Sequence, residues 1–219
     1  MYSNTGIDIG ADIVEVVTGM KWEQYLKQEV LDPLGMKSTW FWPTDKQIKN
    51  KIELYQYKDN EPAQWVEEME WQQRPYNDSH VFASAGAGLW TTASDQLKFY
   101  KMLMNLGVGE NGVRIMKEET VKSILAVTTR PENMGGYSLG LSAPVKDDED
   151  SWFGHGGAWS TNCSVNWHKK QLRLWVVQCA GGPQPWGAEV DKAAEKFFSQ
   201  SFKKSGVSEY TGRIGSAAQ

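Results

Sequence analysis

The sequence has few cysteines, few histidines and no long hydrophobic run, and each shortage excludes a class of protein. Cys163 and Cys179 are too few for a disulfide framework or a cysteine-based zinc site, and we expect free thiols. His80, His155 and His168 have no metal-ligand spacing, so we expect neither a metal nor a cofactor. No apolar stretch approaches the roughly 18 residues of a membrane-spanning helix, so we expect no membrane span.

The charge balance gives no reason to expect a nucleic-acid partner. The 219 residues have a net charge of -4, whereas proteins that bind nucleic acid usually carry a strong basic patch. Hydrophobic residues make up 40% and charged residues 23% of the chain, which is typical of a globular protein. Tryptophan is unusually common, at 11 residues.

The hydrophobic pattern changes along the chain from helical spacing to strand-like runs. Capping boxes at 5–8 and 92–95 and a stop at Asp32-Pro33 predict helices in the first half. Runs at 137–145, 152–154, 160–167 and 171–179 predict strands, the last two forming a hairpin, and 188–202 predicts a helix. We therefore expect an α+β protein: a mainly helical domain over 1–125, antiparallel strands with a covering helix over 126–202, and a flexible tail over 203–219.

Five short motifs occur in an order that resembles a known family. Each motif is weak alone, and their order and spacing together are the signal: Tyr2-Ser3-Asn4, Pro33-Leu34-Gly35-Met36, residues 85–95, Tyr137-Ser138-Leu139-Gly140, and Phe153-Gly154-His155-Gly156-Gly157. The order resembles the serine β-lactamase and D,D-peptidase (penicillin-binding-protein-like) superfamily, in its class C and esterase-like branch. The resemblance covers residues 2–202 and implies a β-lactamase/transpeptidase-like fold.

The resemblance also implies roles for individual residues. Tyr2 corresponds to the proton shuttle, Asn4 to the amide that holds the substrate carbonyl, and His155 to the position of the lysine or histidine that supports the tyrosine and the substrate's polar end. Gly156 and Gly157 would let the substrate approach the strand edge. The backbone N–H of Ala158 would form half of an oxyanion hole, and Trp159 completes the substrate-binding segment.

The family takes its nucleophile and base from a Ser-x-x-Lys turn that precedes Tyr-x-Asn, and this chain departs from that order. Its only match is Ser201-Phe202-Lys203-Lys204, at the wrong end of the sequence. We therefore expect an incomplete, C-terminal fragment of an acyl-serine hydrolase that is inactive alone. Its partners would be a small-molecule or peptide substrate and the missing N-terminal segment of the same enzyme. The family is often periplasmic or secreted, but the sequence itself assigns no compartment.

A different feature of the motifs bears on the substrate. His155 stands where Lys-Thr-Gly is common in enzymes that bind a β-lactam carboxylate. Histidine is neutral or only partly charged at neutral pH. This favours ester or amide substrates over β-lactams.

Two alternative interpretations remain open from the sequence. Gly136-Tyr137-Ser138-Leu139-Gly140 matches the nucleophile elbow of an α/β-hydrolase esterase, with Ser138 as nucleophile and Asp147, Asp148 or Asp150 and then His155 completing a triad. The elbow requires a helix after the serine, however, and a strand-like run follows instead. The second alternative is a non-catalytic binding module whose tryptophans line a carbohydrate or peptide surface.

Overall fold

The computed structural model describes residues 3–57, 64–66, 82–126, 136–144 and 148–180, with further residues at 189, 192–193 and 196–197. Its helices are α1 (Asn4–Thr18), α2 (Trp22–Leu26), α3 (Asp45–Ile48), α4 (Ala93–Met104) and α5 (Glu118–Leu125). A π-helical turn at Lys27–Leu31 continues α2. The described residues within the helix predicted over 188–202 are helical. The flexible tail predicted over 203–219 lies outside the described part.

Two three-stranded sheets make up the β structure of the described residues. Strands β3 (Phe153–Gly156), β4 (Asn162–Asn166) and β5 (Gln171–Trp175) form an antiparallel sheet in that order. Strands β2 (Gln64–Val66), β1 (Leu54–Gln56) and β6 (Cys179–Ala180) form a mixed sheet, in which β1 and β6 are parallel. The structure confirms the predicted hairpin of β4 and β5. The strand predicted over 171–179 is wrong in its length, because β5 ends at Trp175 and Cys179 joins the other sheet.

The main core forms where α4 packs on one face of the β3-β4-β5 sheet, and buried residues of α5 join the same cluster. Alternate strand residues share a face, and the apolar ones on this face meet the buried side of α4. The most deeply buried side chains of the cluster are Met102, Leu103, Val121, Phe153, Cys163 and Val165. This packing ties the helical half of the chain to the strands.

Helix α4 is fixed by a buried carboxylate to the loop between the π-helical turn and α3. Thr92 caps the helix, as predicted, by accepting a hydrogen bond from Asp95 N–H at 3.3 Å. Asp95 does not complete the predicted capping box, because its Oδ2 accepts from Ser38 N–H at 2.6 Å and from the Thr39 hydroxyl at 3.1 Å. Lys98 donates to the other carboxylate oxygen at 2.8 Å and balances its charge.

Helix α1 is amphipathic, but it turns its polar face inward. Ala11 is its only fully buried residue, and Asp8 and Glu15 lie on the same inner side. The outer side carries large apolar residues, of which Val16 is 84% and Val17 79% exposed; Ile7, Ile9 and Ile13 are also exposed. An exposed apolar surface of this kind favours association with other apolar surfaces.

The outer face of α1 predicts self-association of the isolated chain. We expect the double variant Ile13→Lys/Val16→Lys to remain monomeric at protein concentrations where the unmodified chain associates, because the charges make this face costly to desolvate. Sedimentation velocity over a concentration series measures the effect. Val113→Lys is the matched control, since Val113 is an exposed apolar residue outside α1. Equal association of all three proteins would contradict the prediction.

The two cysteines are free and buried, and they lie in different sheets, which confirms the expectation of free thiols. Cys163 lies in β4, where His155 and Leu174 are its neighbours on the adjacent strands. Burial raises the pKa of both thiols, and more so for Cys163, which has no exposed surface. A thiol with a raised pKa forms little thiolate near neutral pH and reacts slowly.

Thiol titration tests this arrangement. We expect no rapidly reacting thiol in the folded chain with Ellman's reagent near pH 8, because burial both blocks access and suppresses the thiolate. In denaturant without reductant, both cysteines are expected to react. One rapid thiol in the folded chain, or fewer than two in denaturant, would show that the described burial or the free state is wrong.

Within the described residues, no helix is long and apolar enough to cross a membrane.

Candidate functional site

The predicted site residues fall into two groups, one at the start of α1 and one where β3 ends. Asn4 is the first residue of α1, and Tyr2 lies outside the described residues. His155 and Gly156 end β3, and Gly157, Ala158 and Trp159 follow in the turn to β4.

Asn4 is placed by the start of α1 and by a turn that is distant in sequence. Ser3 caps the helix by accepting from Gly6 N–H at 3.4 Å, so the predicted cap at Thr5 is wrong. Gly86 packs directly on Asn4, since a Cβ on this glycine would lie 3.0 Å from the Asn4 Cβ. The contact favours glycine at position 86, because an added side chain would crowd the asparagine.

Asp8 holds that turn against α1. Its Oδ1 accepts hydrogen bonds from the Ser84 hydroxyl at 3.0 Å and from Gly86 N–H at 3.1 Å. Asp8 was expected to reach back to the Thr5 cap, and the structure corrects that expectation. Asn4 and Asp8 are four residues apart and therefore lie on the same face of the helix. The carboxylate is thus a positioning group for the surroundings of Asn4.

The second group forms an open strand edge. His155 is half-buried, whereas Gly156, Gly157 and Ala158 are exposed. Gly157 N–H donates to Thr161 O at 2.7 Å and Ser160 N–H to Gly157 O at 2.9 Å, which closes the turn between β3 and β4. The N–H of Ala158 donates no hydrogen bond to any described residue. An exposed N–H of this kind has the character required of an oxyanion-hole donor.

Trp159 holds this turn against β6. Its side chain is buried, and its carbonyl accepts from Cys179 N–H at 2.9 Å. Ser160 has a φ of 72°, and its hydroxyl donates to Cys179 O at 2.6 Å. These bonds fix the turn to β6, and hence to the second sheet. Trp159 therefore supports the edge rather than presenting its ring to solvent.

His155 has an aromatic partner that sequence reasoning missed. Its Nε2 lies 3.1 Å from the Tyr137 hydroxyl, and the two rings meet edge to face with centroids 6.3 Å apart.

Tyr100 is a second tyrosine close to this pair. Burial raises the pKa of Tyr100, and Cys163 and Tyr137 raise it further. Tyr100 therefore remains a neutral phenol throughout the physiological range.

The geometry around Ser138 does not favour the esterase alternative. The strand predicted over 137–145 is instead a tight hairpin, in which Ser138 N–H donates to Leu141 O at 2.7 Å and Gly140 adopts a φ of 90°. Ser138 is buried, and its hydroxyl donates to Leu141 O at 3.2 Å. A nucleophile elbow requires a strand, an exposed serine and a helix. His155 contacts Tyr137, not Ser138, through Nε2.

The tryptophans also fail to form an open binding surface among the side chains that are described. Every one of these is buried or half-buried: Trp22, Trp40, Trp42, Trp90, Trp152, Trp159, Trp167 and Trp175. Trp152, for example, lies under the Arg173 guanidinium at 4.1 Å. The side chains of Trp65 and Trp71 lie outside the described part. Groups of metal-ligating residues are absent from the described ranges.

Comparison with known proteins gives the class of this chain. The sequence model of the beta-lactamase family matches residues 1–185. Protein Rv1367c of Mycobacterium tuberculosis is 28% identical over 116 residues, which cover 53% of this chain and 28% of the relative.

Two solved structures show the same fold. A simvastatin synthase (LovD) mutant from Aspergillus terreus aligns with a TM-score of 0.74 and 16% identity, over 91% of this chain and 54% of that protein. EstCE1, a hydrolase with promiscuous acyltransferase activity, aligns with a TM-score of 0.67 and 20% identity, over 82% of this chain and 51% of that protein. The chain thus spans about half the length of these structures.

The chain therefore belongs to the beta-lactamase family, and its fold is of the β-lactamase/transpeptidase type. The order of motifs from Tyr2-Ser3-Asn4 to His155-Gly156-Gly157 predicted this family correctly.

Replacing Asp8 tests its positioning role at the Asn4 end of the site. We expect Asp8→Ala to lower the free energy of unfolding by about 1–2 kcal/mol, because two donors lose a charged acceptor in a partly solvated place. Asp12→Ala is the control, since Asp12 is exposed on the same helix. Urea unfolding of both variants measures the difference. An equal loss of unfolding free energy in the two variants would contradict the positioning role of Asp8.

Proposed function

We propose that these 219 residues form part of an acyl-serine hydrolase of the beta-lactamase family that acts on ester or amide substrates. The observation that carries the proposal is the exposed edge at 156–158, where the N–H of Ala158 donates to no described residue, next to His155 in a chain of this family. In this reaction a serine ester forms first, and water then releases the acyl group.

Each predicted site residue has a distinct task in the proposal. The Ala158 N–H stabilises the oxyanion of the tetrahedral intermediate, together with the nucleophile's own N–H. Gly156 and Gly157 leave space for the substrate along the edge of β3. Asn4 donates to the substrate carbonyl through its amide. Tyr2 carries the proton between nucleophile and leaving group, which requires a neighbouring cation because a free phenol has a pKa near 10.

The substrate class follows from His155. A neutral or partly charged imidazole binds an anion less firmly than a lysine does. We therefore favour an ester or an amide, including D-amino-acid derivatives, over a β-lactam with its carboxylate. The likeness to EstCE1 and simvastatin synthase, a hydrolase and a synthase by name, is compatible with acyl-group chemistry of this kind.

The nucleophile and its lysine are proposed to come from a segment outside these residues. The motif Ser-x-x-Lys occurs only as Ser201-Phe202-Lys203-Lys204, in the opposite order from the family and outside the described part. We accordingly propose that the 219 residues alone do not turn over substrate. The division into a helical domain over 1–125 and a strand domain over 126–202 belongs to the same proposal.

The first test is activity of the isolated chain. We expect no hydrolysis of a chromogenic ester, a D-amino-acid amide or a cephalosporin, and no covalent labelling by a fluorophosphonate, because a serine without its base is a weak nucleophile. Ser138→Ala is expected to match the unmodified chain in all assays. Labelling that Ser138→Ala abolishes would revive the elbow alternative, and turnover lost in Tyr2→Phe would overturn the inactivity.

The second test is the coding sequence that flanks these residues. We expect Ser-x-x-Lys there, in frame or in a neighbouring reading frame, and hydrolysis when the two parts are expressed together. In that enzyme Tyr2→Phe is expected to lower kcat by about 100-fold or more, as for loss of a general acid or base. A flanking sequence without the motif, together with an inactive chain, would refute the proposed function.

A further inference from the structure

The segment 136–144 folds into a hairpin and adds to the outer edge of β3. Ala143 N–H donates to Gly136 O at 3.0 Å across the hairpin. Ser142 and Gly154 then exchange two hydrogen bonds, of 2.7 and 3.0 Å, across to β3. These bonds hold the hairpin against β3 at Gly154, the residue directly before His155.

The backbone at the start of this hairpin is tightly enclosed. A Cβ on Gly136 would lie 1.8 Å from Ala143 O, so only glycine fits the approach of the two hairpin arms. Gly136 and Ser138, the neighbours of Tyr137 in the chain, both make hydrogen bonds across the hairpin. These bonds fix the Tyr137 backbone on either side. Its ring is set edge to face against His155, at an interplanar angle of 77°.

The Tyr137 hydroxyl reaches one particular atom of His155, the Nε2 at 3.1 Å. A rotation of the imidazole by a half-turn about its χ2 axis would replace this nitrogen by a carbon and lose the bond. A neutral imidazole has one protonated and one bare nitrogen. A phenol hydroxyl is a better donor than acceptor, so its contact with Nε2 favours the tautomer in which Nε2 is bare and Nδ1 carries the proton. One hydroxyl thus acts on both the ring orientation and the tautomer.

We propose that Tyr137 is the positioning residue of His155: its hydroxyl fixes the imidazole orientation and, by donating to Nε2, favours the tautomer with the proton on Nδ1. The catalytic consequence rests on the proposed function, whereas the effect on the imidazole does not. Tyr137 is distinct from Tyr2, which has the proton-transfer role in that proposal. The interpretation of Tyr137-Ser138-Leu139-Gly140 as part of a nucleophile elbow gives Tyr137 no role in orienting His155.

The test is a long-range proton–nitrogen NMR spectrum of the histidine rings in the complete chain, at a pH where imidazole is neutral. His155→Gln identifies the signals of His155 among the three histidines. We expect the two ring nitrogens of His155 to be widely separated in the unmodified chain, as for a single tautomer. In Tyr137→Phe, which keeps the ring contact, they are expected to move toward each other as two tautomers exchange.

Two further proteins make the outcome decisive. Tyr55→Phe removes the hydroxyl of an exposed tyrosine on β1 and is expected to leave the His155 signals unchanged. Replacing Tyr137 by 3-fluorotyrosine preserves the hydroxyl while making it more acidic, and is expected to retain the wide separation with a measurable shift. Unchanged His155 signals in Tyr137→Phe, or signals that ignore the fluorinated residue, would overturn the proposal.

The catalytic consequence is measured separately. In the enzyme expressed with its Ser-x-x-Lys segment, Tyr137→Phe is expected to lower kcat by about 10- to 100-fold with little change in KM, because a misplaced group fails mainly in the transition state. A tautomer effect without any hydrolysis would preserve the positioning role and reject the proposed function. Full activity of Tyr137→Phe would reject the catalytic consequence of the positioning.

Discussion

The packing of α4 against one face of the β3-β4-β5 sheet is the contact on which the rest of the described structure depends. Phe153, Cys163 and Val165 leave no exposed surface there, and Met102 and Leu103 of α4 meet them. Burial of side chains of this size stabilises by about 1.5–3 kcal/mol each. The contact joins residues about 50 to 60 positions apart in the chain, and therefore sets the geometry between the two halves.

His155 lies at the point where this core opens to solvent. Phe153, two residues earlier on the same face of β3, is completely buried, whereas Gly156 is already exposed. Gly154 is needed between them, because a Cβ would lie 2.2 Å from Cys163 O on the neighbouring strand. The strand thus passes from core to surface within four residues. A half-buried imidazole beside an accessible edge is the physical result.

Much of the fold could be predicted from local sequence signals. The stop at Asp32-Pro33, the Thr92 cap and the β4-β5 hairpin depend on residues close together in the chain, and the structure has all three. The mixed sheet could not be predicted, because β1 and β6 are separated by more than 120 residues and neither has a strong alternating pattern. The hairpin at 136–144 was missed for another reason: its turn depends on the positive φ of Gly140, which a strand-like composition conceals.

In the candidate site, too, local sequence signals identified residues but not the distant contacts that place them. Motif order alone selected Asn4 and His155, but it gave no indication of the groups that hold them. Asp8 contacts a turn 78 residues away, and Tyr137 contacts His155 across 18 residues, so both contacts are set by the assembled sheet and helices. A local pattern assigned Asp8 to a helix cap because carboxylates near helix starts commonly serve there. In this protein the helix start is capped by Ser3, and the carboxylate is left to bind the Gly86 turn that packs on Asn4.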